Sequence, residues 1–332
     1  MNDRAVSLFE KYNLNIEKTR KGRGAIIAET DRGLVALVEY HGPQDHLLQV
    51  ETLLREVAQK YDGPLDLIMR TMDGELFCSD YEGKKYIVKG YIEGRECDVT
   101  DPEECKTAIK ALARLHLAMR NVKVPEDFAT FDKADDLQED FDRRTAEIVR
   151  TRNYIRKSPR KEEFELAFLR SYDIYMEQAA VAYSFLDKDC IAVLREKQME
   201  EKMLVHGDCT QHNILFAGKE VAFVNFEKLG AHLQLKDVYL FMRKVLEKND
   251  WSYTMAEEML KSYEQIIVLE RAEKSYLYAR FLYPEKFWKI ANGYLNRRKS
   301  VPARRQQEKL SAFEEKEEKR QLFLNKWLET CR

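Results

Sequence analysis

The chain has 332 residues, and its 56 Lys and Arg against 58 Asp and Glu leave a formal net charge of −2. Such a length buries one or two sizeable cores, and the balanced charge demands neither nucleic acid nor an anionic membrane as partner. No apolar run reaches transmembrane length, the first residues lack a signal-peptide core, and six dispersed cysteines without a CxxC pair point to reduced thiols and not to zinc. Synthesis in the cytoplasm is the expectation.

In chain order, residues 5–12 read as a short helix, followed by three strands at 16–20, 25–30 and 34–40. Gly22-x-Gly24 lies in the first turn between them. A lone pair of glycines is read first as a plain β-turn. The third strand, Leu34-Val-Ala-Leu-Val-Glu-Tyr40, contains no Lys. Residues 44–60 form an amphipathic helix with Leu47, Val50, Leu54 and Val57 on one face. Its Glu51 and Glu56 are read as solvated charges. Asp73-Gly74 predicts a tight turn joining a hairpin of 68–71 and 76–79.

Residues 85–88 form another strand. It runs into a connection, Lys89-Gly-Tyr-Ile-Glu-Gly-Arg-Glu-Cys97, which is either a lobe junction or a loop with two glycines. Asp101-Pro102-Glu-Glu104 combines an N-cap, a Pro at the first helical position and acids in the first turn. It opens a helix to Met119 that buries Ala108, Leu112 and Leu115, with His116 as a partly buried polar residue. Residues 125–134 are expected as a loop, 135–152 and 162–186 as helices. The stripe Phe164, Phe168, Tyr172 and Tyr175 on the second is expected in a core. Helices follow at 235–249, 255–269 and 272–281, and 304–328 reads as one last helix.

The chemistry concentrates in Leu204-Val-His-Gly-Asp-Cys-Thr-Gln-His-Asn213 and the segment after it. Residues 214–216 and 221–224 read as two strands around Gly218-Lys219. That register sets 216 against 221 and brings Asn213 and Asn225 to the same end of the hairpin. His206 and Asp208 precede it in the loop. Turn and cap residues of an ordinary hairpin are the plain alternative. Cys209 is read as a packed thiol.

The spacing His206-x-Asp208-x4-Asn213, a hairpin and then position 225 resembles the catalytic segment of aminoglycoside-phosphotransferase-like kinases. Four stretches more specifically resemble the spore-coat CotS branch of that superfamily: Tyr91-Ile-Glu-Gly-Arg-Glu-Cys-Asp98, His206–Asn213, Lys236-Asp-Val-Tyr-Leu-Phe-Met-Arg-Lys-Val-Leu246 and Phe281-Leu-Tyr-Pro-Glu-Lys-Phe-Trp288. The resemblance implies a bilobal α+β protein-kinase-like fold, with a β-rich N-lobe at 1–90 and a helical C-lobe at 91–332. His206, Asp208, Asn213 and Asn225 would line one cleft. It implies Asp208 as the base with His206 beside it, Asp237 as a brace of the loop, and positions 213 and 225 as magnesium ligands. Gly22, Gly24, Tyr91 and Glu93 would border a nucleotide.

Position 225 is Asn where the family has Asp, and a neutral amide holds magnesium more weakly than a carboxylate. Val38 stands where the family's strand Lys would pair with phosphates. Phosphoryl transfer depends on positioned charge, so two expectations follow. One is a degenerate kinase that binds other spore coat proteins and needs no cofactor. The other is an active phosphotransferase using ATP and magnesium, with Glu227 or Glu39 in a rearranged site. Asn225→Asp is expected to improve magnesium-dependent nucleotide binding where the rest of the pocket survives, with Val38→Lys adding to it. Location in the spore coat is implied by the resemblance alone.

Overall fold

The structure, a computed structural model, describes residues 3–123, 137–297 and 303–331. The expected loop at 125–134 and the start of the helix after it lie outside the described residues. The chain divides into two compact units, Met1–Asp132 with Lys202–Asp237, and Lys133–Glu201 with Val238–Arg332.

The first unit opens with α1 (Asp3–Glu10) and a meander of β1 (Ile16–Lys21), β2 (Ala25–Thr30) and β3 (Gly33–Glu39). Helix α2 (Gln44–Ala58) follows, then β4 (Cys78–Ser79) and β5 (Lys85–Gly90). The sheet is antiparallel in the order β1-β2-β3-β5-β4. Tight turns set its register. Gly24 takes φ +70° between β1 and β2, and Gly33 takes φ +96° at the start of β3. Leu8, Phe9 and Tyr12 of the N-terminal segment pack on Ala28, Val35, Leu37 and Val88, which closes one face of the sheet.

The Asp-Gly turn forms, with the Thr71 amide on the Glu75 carbonyl at 2.8 Å. The hairpin expected around it does not extend into a ladder. Instead both flanks pair with β5. Met69 N–H donates to Val88 O, and Gly90 N–H to Leu67 O, while Cys78 pairs with Tyr86. The free edge of β5 offers both flanks more backbone partners than a short isolated hairpin would.

Strand β6 (Arg95–Glu96) pairs with β8 (Ile214–Ala217), which pairs with β9 (Glu220–Phe223), and β7 (Leu204–Val205) pairs with β10 (Gly230–Ala231). The β8–β9 register sets Phe216 against Val221 and Ile214 against Phe223, as the turn at Gly218-Lys219 predicts. Helix α3 (Pro102–Ala118) is capped by the Asp101 carboxylate, which accepts from the Glu103 and Glu104 amides.

The second unit is helical in its described residues: α4 (Leu137–Arg156), α5 (Glu163–Ser184), α6 (Lys188–Glu200), and most of α7 (Leu235–Lys248), then α8 (Tyr253–Glu264), α9 (Arg271–Leu282) and α10 (Glu285–Leu295). The aromatic stripe of α5 is in the core, with Phe168 stacked on Phe287 at 4.8 Å and Tyr175 on Phe313 at 5.1 Å. The single last helix expected at 304–328 is two, α11 (Arg304–Glu314) and α12 (Glu317–Cys331). The break has a packing cause. Leu310 and Phe313 belong to the cluster around Phe168 and Phe287, whereas Phe323 and Trp327 pack on Phe281. One straight helix would have to serve two differently placed cores.

Candidate active site

The loop after β7 is built around one buried carboxylate. Asp237, fully buried in the first turn of α7, accepts from the His206 amide at 2.6 Å and the Gly207 amide at 3.0 Å. His116 on α3 is not partly buried as expected but fully enclosed, with Nε2 at 3.4 Å from Asp237. Burial alone would raise the Asp237 carboxyl. The contact with His116 and the backbone donors outweigh it and hold the group below the ordinary carboxylate value. Burial likewise pushes His116 below the ordinary imidazole value. Asp237 therefore fixes the backbone of the loop that carries Asp208.

His206 has both ring nitrogens committed to that backbone. Nε2–H donates to Val224 O at 2.9 Å, and Nδ1 accepts from the Asp208 amide at 3.2 Å. These partners fix the tautomer and leave His206 as a positioning group. Gly207 takes φ +79°, and a Cβ there would lie 2.2 Å from the Lys228 carbonyl oxygen, so only glycine lets the two segments approach. Cys209 is buried, and burial together with Asp237 and Asp208 raises its thiol well above the ordinary value. It is a packed thiol, not a nucleophile.

Asp208 is partly exposed, and its Oδ2 meets the Lys228 ammonium at 3.0 Å. Its backbone carbonyl accepts from Asn213 Nδ2 at 2.8 Å. Asn213 Oδ1 in turn accepts from Asn225 Nδ2 at 2.8 Å. Asn225 is left-handed, with φ 68°, a conformation that Asn tolerates better than most side chains. His206, Asp208, Asn213, Asn225 and Asp237 thus belong to one hydrogen-bonded constellation in the first unit.

A further residue completes it, one that the strand pattern did not bring forward. Lys89 at the end of β5 is buried, and its ammonium lies 2.7 Å from Asn225 Oδ1, 2.8 Å from Asp66 Oδ2 and 2.9 Å from Glu227 Oε1. Asp66 Oδ2 also accepts from the Asn225 amide at 2.9 Å. Burial lowers the Lys89 ammonium, but the two carboxylates outweigh it and hold the group above the ordinary lysine value. The register pairs Val38 with Ile87 and Ala36 with Lys89. Cross-strand partners and alternate residues share a face, so Lys89 projects from the same face as Val38, one diagonal step away on the neighbouring strand. Leu54, Ile68 and Ile87 line a concavity together with Asp66, Lys89 and Glu227.

Glu51 of α2 is not a solvated charge. It is 2% exposed, and its carboxylate is held by Arg55 and by Arg70 Nη2 at 2.7 Å. Two guanidinium groups therefore partner this helix carboxylate. Glu39 lies 3.8 Å from His41.

The remaining candidates form a second group in the same unit. Gly22 and Gly24 make the tight β1–β2 turn, in which the Gly22 amide donates to Ala25 O at 2.9 Å. Arg20 Nη2 donates to Glu93 at 2.8 Å, and the same guanidinium lies over the Tyr91 ring. The Tyr91 amide is spent on Leu34 O. Glu96 connects this group to the first, with Arg23 at 3.8 Å and His212 Nδ1 at 2.6 Å.

The fit of a magnesium ion can be judged from these contacts. Magnesium takes hard oxygen ligands in near-octahedral array. Asn213 and Asn225 each offer one amide oxygen. That of Asn213 is bonded to Asn225, and that of Asn225 to Lys89. Among the described residues no three His, Cys, Asp or Glu side chains are grouped to hold a metal. The residues at 213 and 225 do not fit the ion as they stand.

Comparison with known proteins agrees with the fold. An aminoglycoside phosphotransferase from Alicyclobacillus acidocaldarius superposes with a TM-score of 0.85 at 20% identity, over 98% of this chain and 96% of that one. A spectinomycin phosphotransferase in complex with ADP and spectinomycin gives 0.60 at 13% identity, over 92% and 90% of the two chains. A microcompartment-associated aminopropanol kinase gives 0.59 at 13%, over 98% and 97%. These likenesses establish a protein-kinase-like fold. Residues 5–327 match the family described as spore coat putative kinase YutH, and the chain, as its CotS-like segments imply, belongs to that family.

Proposed function

We propose that this protein is a degenerate phosphotransferase whose role in the spore coat is to bind other coat proteins. One observation carries the reading. The two positions where the superfamily gathers magnesium hold amides bonded to each other, and the oxygen of Asn225 is already taken by an ammonium. Transfer of a phosphoryl group relies almost wholly on positioning and on neutralising charge with metal ions. In this reading residues 1–90 act as a β-rich lobe, residues 91–332 as a helical one, and the braced loop at Asp237 is kept for its structural value.

Nucleotide binding of modest strength is compatible with the same pocket, and the kinase-like neighbours, one of them in complex with ADP, support testing it. No helix of the described residues is long and apolar enough to cross a membrane. Association with the coat in this reading runs through protein surfaces.

The test is an ATP hydrolysis and transfer assay on the wild type and on Asp208→Ala. The expected result is turnover at background in both. Robust wild-type turnover that disappears in Asp208→Ala would assign the alternative, an active phosphotransferase with Glu227 in a metal-binding role.

A further inference from the structure

Resting on the degenerate-site reading, we propose that the Lys89 ammonium is the resident cation of this site, and that Asp66, Asn225 and Glu227 form a divalent-cation site which this side chain keeps closed.

Three oxygens from two separate segments converge on one point, Lys89 Nζ, at 2.7, 2.8 and 2.9 Å. Asp66 precedes β5, Asn225 follows β9, and Glu227 lies two residues beyond Asn225. The set comprises two carboxylates and an amide carbonyl, the hard donors that calcium and magnesium take. Metal–oxygen distances of about 2.0–2.6 Å would require each ligand to move inward by about 0.1–0.9 Å. Charge points the same way. One ammonium faces two carboxylates, which leaves a deficit of one positive charge that a divalent ion would remove.

A second observation concerns Asp66 itself. It is 3% exposed, and its other oxygen, Oδ1, has no hydrogen-bond partner among the described residues. A buried carboxylate oxygen left without a donor costs free energy, and a metal ion with water ligands would satisfy it. The lysine therefore holds the cluster together without completing it. A simple structural ion pair is the competing account, and it predicts that loss of Lys89 destabilises the protein whatever ions are present.

The experiment measures thermal unfolding and calorimetric titration with calcium, magnesium and manganese alone, against EDTA, without nucleotide. It compares wild type, Lys89→Arg, Lys89→Met and the double variant Asp66→Asn with Lys89→Met. Wild type and Lys89→Arg should shift by less than about 1 °C with about 10 mM ion, because ligand stabilisation requires an open site. Lys89→Met should melt lower in EDTA and regain about 3 °C or more in the same ion, a shift of the size that mass action gives well above Kd. The double variant should regain nothing. Absence of any regain in Lys89→Met overturns the proposal, including the case in which that variant fails to fold with or without ion. Wild-type binding with a Kd below about 1 mM overturns it independently of any variant's folding. ATP turnover is read in the separate hydrolysis assay, so failure of the metal response and failure of the degenerate-site reading are distinguishable.

Discussion

Asn225 Nδ2 donates to Asn213 Oδ1 at 2.8 Å, so the two amides satisfy each other. The other face of Asn225 is equally committed, with its oxygen on Lys89 and its backbone amide on Asp66. A side chain bonded this way is part of a scaffold, and recruiting it to a metal would break at least one of these bonds.

That relationship revises the expectation that Asn225→Asp with Val38→Lys improves nucleotide binding. Aspartate at 225 would place a third carboxylate beside Lys89 and set two oxygens against each other at Asn213. Lysine at 38 would project from the same face as Lys89 and repel it. The prediction is that Asn225→Asp changes magnesium-dependent nucleotide affinity by less than about threefold, under 1 kcal/mol, and that Val38→Lys adds nothing. Isothermal titration of ATP with magnesium into the three proteins checks this.

The loop that carries Asp208 depends on Gly207. An alanine there would adopt a left-handed backbone and press its Cβ to 2.2 Å from a backbone oxygen of Lys228. Gly207→Ala should therefore cost more than about 2 kcal/mol, measured by urea unfolding. Gly218→Ala is the control. It shares a positive φ of 65° but meets nothing within 4 Å, and should cost about 1 kcal/mol.

In the second unit Glu285 is a buried carboxylate among cations. Lys289 lies at 2.6 Å, Arg144 at 3.3 Å and Arg243 at 3.8 Å, and the Tyr239 hydroxyl donates to it at 3.1 Å. Burial would raise its carboxyl, but Arg243, Arg280, Lys289 and Arg144 outweigh burial and hold it far below the ordinary value. A depressed folded-state value gives stability that is present above the unfolded value near 4.5 and is lost as pH falls below it. Glu285→Gln should cost about 3–5 kcal/mol at neutral pH, because it removes the buried carboxylate on which these cations converge. The difference between variant and wild type should shrink below about pH 4. Denaturant titrations across pH 3–7, on the order of one per unit, test both the size and the sign.

The sequence reading reached the parts of this molecule that local patterns encode. The β1–β3 meander, the Gly218-Lys219 turn and the register it sets, and the Asp101 cap all follow from neighbours in the chain. Lys89 escaped because its meaning is set across strands. β3 carries Val38 and no lysine, and only the register reveals that the end of β5 faces the same space. Asp66 lies in an irregular stretch between α2 and β5, where no periodicity signals burial. Glu51 was more accessible to reasoning. It stands four residues after Leu47 and three before Leu54, on the apolar face of its own helix, and a carboxylate placed there needs a cation. The split of the last helix follows from which cores its two halves meet, and nothing within the segment records that.

The central claim is that the Lys89 ammonium, and not a metal ion, supplies the positive charge at this site. Its most direct test is the affinity of wild-type protein for ATP, titrated by calorimetry in EDTA and again in about 5 mM magnesium. If Lys89 occupies the place of the ion, any binding is weak and the two affinities agree within about threefold, less than 1 kcal/mol. Tightening by magnesium of more than about tenfold, or 1.4 kcal/mol, would contradict the account and put a metal among Asn213, Asn225 and Glu227 after all.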